Sequence, residues 1–416
     1  MNKRRMNRRE FVKIVGLSGA ALAVGLRARG AESVADQAAS EALNSMTPKV
    51  PRRKFGATGV EVPILALGGI FDIPTNQLVL EKAFDYGVRY WDTAYSYGGG
   101  RSEAGMGIYF ERHPERREEI FLVTKTGARN PQEMTAQLEE SLRRLQTDYV
   151  DLYFLHGVSD PQAFTDEIRT WAEKTKKAGK IKFFGFSTHS NMEECVAAAA
   201  KLGWIDGIML TYNYRIMNTD RMKAAIESAA KAGIGLTAMK TQARPARRGE
   251  SQEQDREANA QEAMVAHFTA RGFTPEQAKM KIVWETKEIA SICSAMYTVT
   301  VLQANVMAAL DRKELTEADR SVLFAEAAET CSGYCAGCSR ICEGAIGYKV
   351  PVSTMMRGLM YRNSYGDLEL ARETVASGWQ GDRAVLGMID FRAAEQVCPN
   401  RLPIAKLVKE AAELFA

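Results

Sequence analysis

Residues 120–126 read Ile120-Phe121-Leu122-Val123-Thr124-Lys125-Thr126. A helix-like stretch, Pro131–Leu145, follows, and then Val150-Asp151-Leu152-Tyr153-Phe154-Leu155-His156. Two apolar runs of strand length, separated by a segment of 3.6-residue periodicity, form a β–α–β unit whose strands are buried on both faces. Comparable runs occur at Ile64–Gly69, Arg89–Ala94, Ile181–Thr188, Gly207–Asn213, Ile234–Lys240 and Ser291–Met296, with a further helix-like stretch at Met192–Leu202. Eight such units over about 250 residues match the size of an α/β (β/α)8 TIM barrel. An open doubly wound sheet would require a glycine-rich phosphate turn after an early strand. Leu67-Gly68-Gly69-Ile70 does not supply one.

Polar residues stand where these runs give out. Asp92 ends the second, Lys125 the third and His156 the fourth, and Tyr97 lies five residues past Asp92. Side chains at the carboxyl ends of neighbouring barrel strands converge on one face. A carboxylate that holds an ammonium, an ammonium beside a phenol and an imidazole form an acid–base set. The ammonium is expected to lower the phenol from its ordinary ~10, so that it exchanges a proton near neutrality. Each residue alone has a bland explanation, as a helix cap, a packing aromatic or a solvated strand end; three at successive strand ends with a fourth in the adjoining loop do not.

These residues carry a family resemblance. Tyr90-Trp91-Asp92-Thr93-Ala94-Tyr95-Ser96-Tyr97-Gly98 with Arg101-Ser102-Glu103 resembles the aldo-keto reductase signature. Val123-Thr124-Lys125 and Asp151–His156 resemble the strands that bear its lysine and histidine, and the likeness extends over about 52–311. It implies hydride transfer between a nicotinamide cofactor, NADP or NAD, and a small carbonyl or alcohol substrate, with Tyr97 as proton donor. It also implies cofactor contacts from Ser187, Thr188, Tyr212, Asn213, Met239, Lys240, Met296 and Asn305. The family's strand-eight Pro, Gly and basic residue are missing from Cys293-Ser294-Ala295-Met296-Tyr297-Thr298, although Asn305 is kept. A phosphate clamp is hard to replace with a tyrosine, so NADP, NAD or a lost cofactor site stay open. Thr241–Ala260, with eight charged residues and no apolar side chain larger than Ala, is expected to be a mobile flap over the active face.

Five of the seven cysteines follow residue 330. Cys335-Ala336-Gly337-Cys338-Ser339-Arg340-Ile341-Cys342 is C-x2-C-x3-C, and Cys398-Pro399 lies far downstream. Thiolates on one tight loop, completed by a distant Cys-Pro, suit a [4Fe-4S] cluster. Cys335, Cys338, Cys342 and Cys398 are the expected ligands, with Cys331 in reserve. A structural zinc would use the same thiolates, and disulfides are the third alternative. Cys195 and Cys293 lie in apolar runs and read as small buried hydrophobes. The region resembles the ferredoxin-like extension of some bacterial aldo-keto reductases, which implies a small helical domain over 313–416 beside a barrel over 51–312. With such a cluster, a redox partner protein is expected. The competing reading is an accessory electron-transfer protein on a barrel scaffold that has lost catalysis.

The chain has 55 Lys+Arg and 51 Asp+Glu, a formal +4. Residues 1–31 hold eight basic side chains and one acid, so the remainder carries −3. That distribution removes the electrostatic case for a nucleic-acid partner. Asn7-Arg8-Arg9-Glu10-Phe11 ahead of the Gly/Ala-rich Ile14–Leu26 resembles a twin-arginine signal. The resemblance implies recognition by the twin-arginine export machinery and a periplasmic or other extracytoplasmic location, with 32–50 as a linker.

Overall fold

The computed structural model describes residues 48–246, 252–381 and 383–415. The arginine pair, the segment 1–31, most of the linker and part of the expected flap lie outside the described residues. A short antiparallel hairpin, β1 (Arg52–Lys54) and β2 (Glu61–Pro63), comes first. Eight parallel strands follow: β3 (Leu65–Gly68), β4 (Tyr90–Asp92), β5 (Phe121–Thr126), β6 (Val150–Leu155), β7 (Ile181–Thr188), β8 (Gly207–Thr211), β9 (Gly235–Met239) and β10 (Ile289–Ala295). They close in the order β3 to β10, with β10 pairing back to β3. Each falls on one of the eight runs expected from the sequence. The register Asp92↔Val123 and Lys125↔Phe154 brings successive strand ends to one rim.

The two faces of each strand separate two cores. Inward-facing Tyr90, Phe121, Val123, Leu152, Phe154 and Met209 fill the barrel with Phe55 from the hairpin, whereas Trp91, Leu122, Tyr153 and Leu155 pack against the surrounding helices. Phe55 is fully buried and plugs the amino-terminal end. Gly235 makes room for it, since a Cβ there would lie 2.5 Å from the Phe55 ring. Phe55→Ala should therefore cost about 3–5 kcal/mol, as large-to-small changes in rigid cores do; a denaturation midpoint unchanged from the parent would show that the plug carries no stability.

One finding departs from the sequence expectations. The charged stretch after residue 250 is not a flap throughout, because a helix runs Gln252–Arg271. Its Glu, Gln, Ala and Arg are good helix formers, and Met264 and Phe268 anchor its second half in the outer core. The carboxyl-terminal region then folds around its own core of Met355, Leu359, Ala371, Val375, Ile404, Leu407 and Ala411. Within it, helix Val352–Met360 runs directly into a π-helical turn, Tyr361–Tyr365. Ala246, in the loop after β9, joins this second core.

Candidate active site

Alternation along β4, β5 and β6 points Asp92, Lys125 and His156 to the same end of the barrel interior. Lys125 is 1% exposed. Its ammonium donates to Asp92 Oδ2 at 2.7 Å and to the Thr93 carbonyl at 2.7 Å, and lies 3.4 Å from the Tyr97 hydroxyl. Three ammonium protons thus face three acceptors. Gly98, Gly99 and Gly100 all have positive φ, which lets the chain reverse at once behind Tyr97 and fold it back over the rim. The Tyr97 ring meets His156 edge-on at 5.7 Å.

The electrostatics correct one expectation. Burial, and then the Asp92 charge, push the Tyr97 phenol well above its ordinary value rather than below it. Lys125 is too fully engaged by Asp92 and Thr93 to reverse this, and Tyr97 holds its proton across the working pH range. Burial also raises the Asp92 carboxyl, with Lys125 pulling against it. His156 is pushed down to about 3, by burial first and then by Lys125, Arg357 and Arg129. His189, two residues past Ser187, is driven well below its usual range by burial first, then by Arg357 and Lys240. Both imidazoles are neutral at pH 7. An unfolded chain takes up protons on its histidines below about 6.5, while these two refuse them. Stability is therefore unaffected above that value and falls as pH drops from about 6.5 toward 3. The melting temperature should decline between pH 7 and 5, and His156→Gln should flatten the decline; an equal slope in the variant would reject His156 as a contributor.

The expected cofactor residues are spread over three settings. Ser187 accepts from the Gly157 amide and keeps its own proton to donate, while Thr188 donates to the Ser190 carbonyl. Met239 and Lys240 stand at the rim end of β9. Tyr212 and Met296 pack into the outer core, with the Tyr212 hydroxyl on Thr286. Asn213 donates to the Lys240 carbonyl and to the Tyr334 hydroxyl, and Asn305 to Ser294. Cys293, expected as a packing residue, is instead half-buried in the barrel interior, where burial and the nearby Asp92 charge hold it as a thiol. Sequence reasoning missed His189, Arg357 and Tyr361. The alternation past Ser187 could have found His189; no motif marks the other two.

A catalytic-type Asp/Tyr/Lys/His rim on a closed parallel barrel coincides with a match to the aldo/keto reductase family over residues 69–309. The chain belongs to the aldo/keto reductase family. It is 30% identical over 194 residues to a Schizosaccharomyces pombe aldo-keto reductase whose name carries NADP(+), covering 44% of this chain and 55% of that protein. It is 25% identical over 294 residues to the L-galactose dehydrogenase of Arabidopsis thaliana, covering 64% and 90%. An uncharacterized oxidoreductase of Bacillus subtilis matches at 28% over 209 residues, or 64% of its length. The chain thus spans under two thirds of the length of several curated relatives that it matches. The holo form of an aldo-keto reductase from Bacillus halodurans shares the fold, with a TM-score of 0.57 and 22% identity over 67% of this chain and 96% of that one.

Beside this aldo/keto reductase barrel, Cys335, Cys338, Cys342 and Cys398 line a single tight cavity of about 20 Å³. All seven cysteines are free. Cys331 lines a different cavity, with Tyr214, Arg215 and Asn400. Burial, with the neighbouring cysteines adding to it, pushes Cys338 up to about 11; Cys342, where Glu343 also contributes, reaches about 12. Among the described residues, no three His, Cys, Asp or Glu side chains are gathered closely enough to hold a single metal ion. The cysteine loop is moored to the barrel: the Asn191 amide donates to the Gly337 carbonyl at 2.8 Å, and the Arg340 amide to Asn191 Oδ1 at 2.9 Å. Gly337 has φ +79°, and a Cβ there would come within 2.3 Å of the His189 carbonyl.

Proposed function

We propose that this protein is an oxidoreductase that interconverts a carbonyl and an alcohol in the barrel, with a [4Fe-4S] cluster in its carboxyl-terminal domain. The observation that carries the first half is the single ammonium of Lys125 shared between Asp92 and the Tyr97 hydroxyl. The rim fits a nicotinamide: Ser187 retains a donor, and Met239 and Cys293 give apolar surface. When bound, that cofactor supplies the hydride to the carbonyl carbon. Tyr97 then gives its proton to the carbonyl oxygen, whose electron pair forms the new O–H bond, and Lys125 faces the resulting phenolate. Asp92 keeps the ammonium in place, and neutral His156 can donate to the same oxygen.

For the cysteines, a zinc ion with bonds of ~2.3 Å would need thiolates about 3.8 Å apart. Four thiols spread around a cavity, without converging on a point, suit the larger iron–sulfur core. Cys335, Cys338 and Cys342, held protonated by burial first and by neighbouring charges second, are also in surroundings that a cationic core relieves by taking up the thiolates. Single electrons would pass between this centre and a redox partner protein. Recognition by the twin-arginine machinery and an extracytoplasmic location rest on the sequence around Arg8-Arg9.

The accessory-protein reading gains one observation: Lys240 and Asn213 are engaged by Tyr361 and Tyr334 of the later chain. Titration with NADH and NADPH, followed by nicotinamide fluorescence, separates the two readings. Saturable binding of either is expected; binding of neither rejects the reductase.

A further inference from the structure

A second cavity, of about 50 Å³ and open to solvent, lies between the barrel rim and the carboxyl-terminal domain. The barrel contributes His189, Thr211, Lys240 and Arg244; the later chain contributes Tyr334, Cys335, Met356 and Arg357. Among the described residues, no carboxylate lines it. The nearby acids are committed elsewhere, Asp92 to Lys125 and Glu343 to the Ser353 amide. Lys240 has the left-handed φ of +58° at the end of β9, and its ammonium meets the Tyr361 hydroxyl at 2.6 Å. Arg244 is partly held by the Ser364 carbonyl. The Arg357 guanidinium is different: it makes no hydrogen bond or ion pair with any described residue. It nevertheless reaches the catalytic rim electrostatically, acting on Tyr97, His156, His189 and Tyr361.

A half-buried guanidinium among other cations, with no counter-charge among the described residues, is an unfavourable arrangement unless an anion joins it. Its planar fork matches a carboxylate or phosphate. We propose that this cavity binds the anionic group of the substrate, a carboxylate or phosphate borne by the carbonyl compound, and that Arg357 is its principal contact. The inference deepens the proposed barrel activity and rests on it. The substrate would then span from the cavity to Tyr97, with its charge on Arg357 and its carbonyl on the proton donor. Substrate selection is thereby assigned to a residue beyond the stretch matched to the family.

Oxalate and inorganic phosphate serve as probes, added separately to the full chain at low ionic strength, with melting temperature and intrinsic fluorescence recorded. Saturable binding of at least one is expected, weakened at least tenfold in Arg357→Met and less in Arg357→Lys. The ligand-free Arg357→Met protein should melt at or above the parent's temperature, because an unpaired charge has gone. A parallel NADPH titration distinguishes the two sources of anion. Unchanged NADPH affinity in Arg357→Met supports a substrate site, whereas a parallel loss assigns the cavity to cofactor phosphates and overturns the proposal. Absence of anion binding in the parent, or equal binding in Arg357→Met, also overturns it. If the parent binds the anions but neither NADH nor NADPH, it is the hydride-transfer reading that fails.

Discussion

Tyr97→Phe should lower carbonyl reduction by at least 10²-fold, and by as much as ~10⁴-fold, while NADH or NADPH affinity changes little. General acid catalysis by a positioned side chain is typically worth that range. The phenylalanine keeps the ring that packs against His156 and removes only the hydroxyl that Lys125 faces. The loss should therefore fall on kcat rather than on binding. 4-Nitrobenzaldehyde is a suitable test substrate because it needs no specific recognition. Burial and Asp92 hold the phenol's titration above its ordinary value, so the parent's activity should show no acidic or neutral limb from Tyr97. Retention of most of the turnover by Tyr97→Phe would remove it as proton donor.

The second large effect is expected at the cysteines. Cys398→Ala should abolish the iron content of anaerobically purified protein, together with the brown absorption near ~400 nm expected of thiolate-bound iron. Cys331→Ala should leave both intact, since that residue lines a different cavity. Because metal affinity is folding free energy for ligands drawn from distant positions, Cys398→Ala should also expose the 335–415 region to proteolysis while the barrel survives. Four irons and matching sulfide per parent chain are expected; zinc in their place, or iron retained in Cys398→Ala, would refute the cluster assignment.

What the sequence made legible was whatever depends on local period. Buried runs of six to eight residues marked every barrel strand, and the strand ends delivered Asp92, Lys125 and His156. The C-x2-C-x3-C spacing brought three thiols to one loop, and the structure adds Cys398 to their cavity. What depends on surroundings was not legible. The sign of the Tyr97 shift was misjudged because charge proximity alone was weighed, whereas burial and Asp92 outweigh the ammonium. Cys293 looked like a core residue, and only the barrel's alternation reveals that it faces Asp92. Arg357 sits on an amphipathic helix with nothing to distinguish it from a solvated arginine until the two domains meet.

Cys335, Ala336, Ser353 and Met356 line both the cysteine cavity and the cavity at the rim. That common wall imposes an order in time. Arg357 leaves the ribosome 62 residues after Ala295, the last residue of the closing strand. At roughly 5–20 residues per second, a nascent barrel would wait about 3–12 s with its substrate side unfinished. The rim becomes whole only when the cysteine-bearing half has been made and docked.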